Sequence, residues 1–323
     1  MTEPVVRPGF PAAPPRGDSR RTTATAAAGL VAVTAVWGST FVLIKDVVAT
    51  MPVADFLAVR FAVAAAVMLV LFWRPLRRLG RPHVRQGLAL GAVYGAAQVL
   101  QTLGLAVTPA AVSGFITGMY VVLTPVIAAV VLRHRPPSTT WLAVAMSAGG
   151  LALLALRGFS VGTGELLVLA CAALYAIHIV GLGAWSDARD AVGLATMQMV
   201  AIAGLCTLAA LPGGVTLPAS GAAWAAVLYT AVVAGAGTLV VQTWAQAHLS
   251  STRAAIIMTM EPVFAALFAV LLGGEHLTWR MLGGGLLVLA AMYVVELTPA
   301  RSGAGEPHPA AAVADPPTVR ERT

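Results

Sequence analysis

Residues 24–44 read ATAAAGLVAVTAVWGSTFVLI, a stretch without one charged side chain. A helix of about 20 apolar residues spans the hydrocarbon of a bilayer, where every backbone amide must be satisfied inside its own helix. Nine further stretches repeat the pattern, at 53–73, 86–106, 110–132, 139–157, 163–183, 193–211, 222–245, 253–272 and 279–297. Between them fall Met51-Pro52, Arg81-Pro82, Thr108-Pro109, Pro136-Pro137, Leu211-Pro212-Gly213-Gly214 and Gly273-Gly274, where Pro and Gly end helices. Of 323 residues, 59% are hydrophobic and 10% charged, and mean hydropathy is +0.85. A soluble core of this length does not have such a composition. The expectation is an all-α integral membrane protein with ten transmembrane helices. The first span is too long and too deep in the chain for a cleaved signal peptide, so it is expected to stay.

The arginines set the orientation. With both termini in the cytoplasm, sixteen basic residues lie inside, among them Arg74, Arg77, Arg78, Arg81 and Arg85, while Lys45, Arg157 and Arg280 lie outside and Arg60 falls within a span. That bias fits the positive-inside rule for a protein of the cytoplasmic membrane. The net charge of +7 then reflects topology and anionic lipid headgroups, and nucleic acid is not an expected partner.

Residues 1–22 and 299–323 are rich in Pro, Ala, Gly and Arg without apolar periodicity and read as disordered cytoplasmic tails. Cys171 and Cys206 both lie inside spans and read as small buried apolar residues; neither disulfide framework nor metal spacing appears, and no metal or cofactor is expected.

The spans are duplicated. Thr124-Pro125-Val126-Ile127-Ala128-Ala129 returns as Glu261-Pro262-Val263-Phe264-Ala265-Ala266, Gln101-Thr102 as Gln242-Thr243, and Thr140-Trp141 as Thr278-Trp279, in order and at offsets of 137 to 141. The halves are then 23–157 and 158–298, five spans each. An odd number inserts the second copy upside down, the inverted-repeat plan of many secondary transporters, with the substrate site near the midplane between halves.

Trp37-Gly38-Ser39-Thr40-Phe41, Arg60, Ser113-Gly114-Phe115-Ile116-Thr117-Gly118 leading to Thr124-Pro125, Glu261-Pro262 and Gly274-Glu275 together resemble the EamA family of the drug/metabolite transporter superfamily. The resemblance covers residues 24–297. It implies ten helices, cytoplasmic termini, a central cavity, and export or exchange of small metabolites or drugs without ATP. The first half departs from it: where many members repeat Gly-Glu after the fourth span, this chain has Arg133-His134-Arg135.

Helical faces suggest what lines the cavity. In the third span Tyr94, Gln98, Gln101 and Thr102 share a stripe with Gly87, Gly91 and Gly95. In the fourth, Ser113, Thr117, Tyr120 and Thr124 lie opposite Phe115, Met119, Val122 and Leu123; in the eighth, Thr238, Gln242 and Gln246 align. Such stripes either wet a cavity or bond neighbouring helices, and the glycines read as close-packing devices. Trp37 and Tyr175 occupy equivalent places and are read as a pair walling the cavity. Pro125 frees the carbonyl of Val121 and Pro262 that of Met258, for contact with substrate or simply as bends.

Glu261 is the one acidic residue well inside a span, where a carboxylate costs a few kcal/mol or more unless paired, hydrated or protonated. It is either a proton or cation coupling site or a structural partner. His178, on a face with Cys171 and Tyr175, is either a core histidine or a relay. Arg60 either binds an anionic substrate or pairs with Asp55, five residues earlier and poorly spaced for a helix pair, and a structural or gating role is the favoured reading. Trp141, Trp185 and Trp279 are placed as interfacial anchors.

Lys45 is the single lysine and lies in no Gly-x-x-x-x-Gly-Lys loop, so no P-loop exists here. The leading reading is a secondary transporter working on a small-molecule substrate in the lipid bilayer, with a proton or cation as coupling ion and a homodimer left open. The rivals are an intramembrane enzyme and a non-transporting scaffold or receptor. His-Glu-x-x-His and paired intramembrane aspartates are absent from the sequence.

Overall fold

A computed structural model of the chain describes residues 20–131, 138–157, 160–185, 190–248 and 257–297. The helices are α1 (Arg20–Val48), α2 (Val53–Arg77), α3 (Arg81–Val107), α4 (Ala110–Gly118), α5 (Tyr120–Val131), α6 (Ser138–Ala155), α7 (Thr163–Trp185), α8 (Ala191–Ala210), α9 (Gly221–Leu228), α10 (Thr238–His248), α11 (Glu261–Leu271) and α12 (Trp279–Leu297). A π-helical stretch, Tyr229–Gly237, joins α9 to α10 without a break. Among the described residues one strand pair occurs, β1 (Leu156–Arg157) with β2 (Ser160–Val161), antiparallel and between α6 and α7.

Prolines punctuate the helices as the sequence indicates. Pro52 and Pro109 directly precede α2 and α4, and Pro82 sits in the first turn of α3, where its missing amide costs no bond. Pro75 lies near the end of α2, three residues after Phe72 leaves helical geometry. Among the described residues six helical segments are long and apolar enough to cross a membrane, and four shorter apolar ones accompany them. Their outer faces carry large apolar side chains such as Val70, Leu71, Val107, Leu208 and Leu286, while Trp141, Trp185 and Trp279 are exposed near helix ends. An apolar surface of this extent belongs in lipid, so the protein is a multi-pass membrane protein.

Several expectations change. Helices run past the predicted spans: α1 starts at Arg20, inside the predicted tail, and α2 and α3 extend through most of the Arg74–Arg85 loop. The fourth span is broken at Met119, whose amide bonds the Ile116 carbonyl. In the ninth, α11 starts at Glu261, because Pro262 is accommodated in a first turn and not in a helix interior. Glu261 is therefore a helix N-terminal residue and not a mid-helix one. The remainder of both tails, Arg133-His134-Arg135 and the start of the ninth span lie outside the described residues.

The packing is organised in pairs. α2 packs mainly on α8, α3 on α7 and α8, α6 on α12, α1 on α11 and α10, α4 on α11 and α7, α5 on α7, and the π-helical stretch on α2. Close approach is achieved where a side chain would not fit. A Cβ on Gly38 of α1 would lie 2.6 Å from Phe264 Cβ and 2.7 Å from the Ala265 amide of α11; one on Gly91 of α3 would lie 2.6 Å from Ala201 Cβ of α8. The glycine part of the third-span stripe thus packs on α8, as small-residue interfaces do in membranes.

Candidate functional site

The polar part of that stripe, one helical turn further on, meets the second half of the chain. Tyr94 and Gln98 are four apart on α3 and so project from one face. Gln98 Nε2 donates to Tyr94 Oη at 3.3 Å and to Tyr175 Oη of α7. Tyr175 Oη donates in turn to Gln101 Oε1 at 3.1 Å, and Gln101 Nε2 donates to Thr117 Oγ1 of α4 at 3.2 Å. The rings of Tyr94 and Tyr175 lie 5.4 Å apart, and Tyr120 meets Tyr175 edge-on at 6.3 Å.

Each end of this chain of contacts carries a buried ionisable group. Arg60, 6% exposed on α2, donates from Nη1 to Gln98 Oε1 and from Nε to the Thr230 carbonyl, both at 3.4 Å, and lies over the rings of Phe61 and Phe56 at 4.9 and 5.9 Å. Glu261, 8% exposed, accepts from Tyr120 Oη at 3.5 Å and heads α11, where the helix dipole favours a carboxylate. His178 stacks beside Tyr94 at 5.1 Å, and its Nε2 is 2.6 Å from Gln198 Oε1 of α8. Gln198, 8% exposed, went unnoticed in the sequence because it shares a mostly apolar helix with no polar stripe.

The structure thus brings together Arg60, Tyr94, Gln98, Gln101, Thr117, Tyr120, Tyr175, His178 and Glu261. Other predicted residues stand apart. Trp37 donates to the Ala234 carbonyl at 3.2 Å and to Thr238 Oγ1 at 3.1 Å, so it braces the π-helical stretch; among the described contacts nothing joins it to Tyr175. Thr124 bonds back to the Tyr120 carbonyl of its own helix. Gln242 is half-buried and takes no part in the described network. Pro125 lies inside α5, whereas Pro262 occupies the first turn of α11 and marks a helix start in place of a bend. The fourth-span stripe is not one-sided: Phe115, Met119 and Val122 are buried along with Ser113 and Thr117, because α4 is enclosed by α1, α7 and α11. Asp55 is not the partner of Arg60; its Oδ2 accepts the Thr216 amide at 3.0 Å, since five residues along a helix put the two side chains on different faces.

A second polar cluster closes one end of the bundle. Glu275, in the turn after α11 that Gly274 makes with φ 64°, accepts the backbone amides of Ala110 at 2.6 Å and Ala111 at 3.2 Å, at the N-terminus of α4. Lys45 of α1 reaches the same carboxylate at 3.4 Å. Val42, Asp46, Ala106 and Ala110 line a cavity of about 260 Å³ beside the pair. One side chain therefore ties α1, α4 and the α11–α12 turn together. The sequence pointed to Glu275 through a motif and gave no sign of its partners.

Among the described residues no cluster of three His, Cys, Asp or Glu is placed to hold a metal. The arrangement bonds, orients and carries charge in a buried place shared by both halves.

Comparison with known proteins agrees with this picture. The EamA-like transporter family matches residues 24–156 and again residues 162–297. An uncharacterized transporter of Archaeoglobus fulgidus is 31% identical over 270 residues, covering 83% of this chain and 85% of that protein. A crystal structure of a protein 18% identical in sequence superposes with a TM-score of 0.59 over 85% of this chain and 96% of its own, a likeness of fold. With two successive matches that fill the membrane-embedded part of the sequence, the chain belongs to the EamA-like transporter family.

Proposed function

We propose that the protein is a secondary transporter, an exporter or exchanger of small metabolites or drugs across the cytoplasmic membrane, and that its two halves alternate around the network from Arg60 to Glu261. One observation carries the reading: a buried polar network, built by α2, α3, α4 and α5 of the first half with α7 and α11 of the second, in a largely apolar bundle. Polar and ionisable groups in membrane spans are expensive and mark substrate or ion pathways.

The packing supports ten spans in two inverted halves. Exchanging each element for its counterpart, α1 with α7, α2 with α8, α3 with α9–α10, α4–α5 with α11 and α6 with α12, maps the most extensive helix pairings onto one another. The α1–α11 pair becomes the pair of α7 with α4 and α5, the α3–α7 pair becomes that of α10 with α1, and the α2–α8, α4–α11 and α6–α12 pairs map onto themselves. A pseudo-two-fold axis between halves has this signature. The arginine bias supports cytoplasmic termini. Glu275, with Lys45 and the α4 amides, acts as the closure of the mouth on the Lys45 side, and Glu261 as the group that loads and releases a coupling proton.

Reconstitution tests the reading. Gln98→Leu and Tyr120→Leu each make a span more apolar and are expected to insert normally while losing solute flux in proteoliposomes. Full flux in both variants would move the site elsewhere.

A further inference from the structure

We infer that the transported solute carries a carboxylate or a comparable small organic anion and that Arg60 reads that charge; the inference rests on the transporter reading above. A guanidinium has five N–H donors and is charged at all ordinary pH. Arg60, 6% exposed, has two described hydrogen bonds, each 3.4 Å long, and both acceptors are neutral: the Gln98 side-chain oxygen and the Thr230 carbonyl. Among the described residues no carboxylate lies within 4 Å of it, the two ion pairs being Lys45 with Glu275 and His83 with Asp190. Two other buried acids have partners of their own: Asp55 holds the Thr216 amide and Glu261 is bonded by Tyr120. The rings of Phe61 and Phe56 offset part of the desolvation, but a ring face is a weaker partner than an anion.

The surroundings suit an anion with an organic body. Gln98 presents its oxygen to Arg60 and its nitrogen to Tyr94 and Tyr175, so a carboxylate could replace the oxygen at Arg60 while the amide nitrogen keeps the tyrosines in place. A carboxylate meets a guanidinium with two parallel, charge-assisted bonds that an amide oxygen cannot match. The tyrosine rings would then flank the remainder of the solute. Arg60 also holds the Thr230 carbonyl of the π-helical stretch, so an anion that engages it competes with a bond between the halves.

The test uses matched acid and amide pairs, phenylacetate with phenylacetamide and propionate with propionamide, added to the purified full chain while its thermal unfolding is followed. At least one acid is expected to stabilise the protein saturably, with half-saturation about 10- to 100-fold below that of its amide. Arg60→Gln should erase that preference and Arg60→Lys keep part of it. If no acid stabilises the parent protein, or if Arg60→Gln retains the parent preference, the inference falls. Should Arg60→Gln fail to fold, the acid and amide comparison in the parent and in Arg60→Lys decides. Flux of amides as fast as acids in parent proteoliposomes would also overturn the inference while leaving the transporter reading intact. Acid-selective stabilisation without any flux would support the anion site and count against transport.

Discussion

Removing the Glu275 carboxylate should open the Lys45 side of the protein. In the structure that carboxylate accepts two amides at the start of α4, at 2.6 and 3.2 Å, and meets Lys45 at 3.4 Å. Loss of an N-terminal cap costs about 0.5–2 kcal/mol. The lysine side chain is 36% exposed, so its pairing adds at most about 0.5 kcal/mol after solvent screening. Together these give roughly 2 kcal/mol for Glu275→Ala, and because the bonds join α1 and α4 to the turn beyond α11, the loss falls on the closed mouth. That corresponds to about a thirtyfold shift toward the open form. The assay places a single cysteine at Thr117, with Cys171 and Cys206 replaced by Ala, and measures its reaction with a membrane-impermeant thiol reagent applied from the Lys45 side. Labelling should accelerate at least about tenfold in Glu275→Ala and less in Glu275→Gln, which keeps a neutral acceptor. A rate within about twofold of the parent in both variants would show that these bonds hold no gate closed.

Further outcomes follow from the same structure. Glu261→Gln should abolish gradient-driven uphill flux and still permit downhill exchange; uphill flux at the parent rate would leave Glu261 structural and move attention to His178. In sealed cells, cysteines at positions 79 and 318 should escape an external reagent and one at 161 should react; the reverse pattern would overturn topology and inversion together. Gly91→Leu forces a side chain into a place where even a Cβ lies 2.6 Å from Ala201, and thermal unfolding should register a loss of about 1–3 kcal/mol. An unchanged unfolding midpoint would mean that α3 and α8 can separate without cost.

The spans and the duplication were legible because apolar length and local repetition are written along the chain. The Tyr94, Gln98, Gln101 and Thr117 contacts were foreshadowed by stripes on α3 and α4, since helical periodicity brings such residues to one face. Periodicity does not tell which helix a face meets. Asp55 was a candidate partner of Arg60 by proximity in sequence, yet it bonds Thr216, and Arg60 reaches Thr230 and Gln98 instead. On α4 the stripe lost its meaning because every side of that helix is buried. Glu275 offered a motif, but its bonds to Ala110 and Ala111 span some 165 positions of sequence. Trp37 and Tyr175 were equated by the repeat, and their surroundings differ because, among the described residues, only the second half contains a π-helical stretch.

That stretch gives the eighth span a winding that could work as a screw. Through Tyr229–Gly237 the backbone turns more widely than in an α-helix, and its Thr230 and Ala234 carbonyls are held by Arg60 and Trp37, side chains of the other half. If the wide turn tightened, everything beyond it would rotate by about 100° for each residue of register, and if it travelled along the helix, the segment it crossed would. Thr238 and Gln242 lie just beyond. Without melting a turn or sliding a helix, the protein could swing these two side chains toward or away from its interior, with Arg60 and Trp37 serving as the pawl that fixes each position.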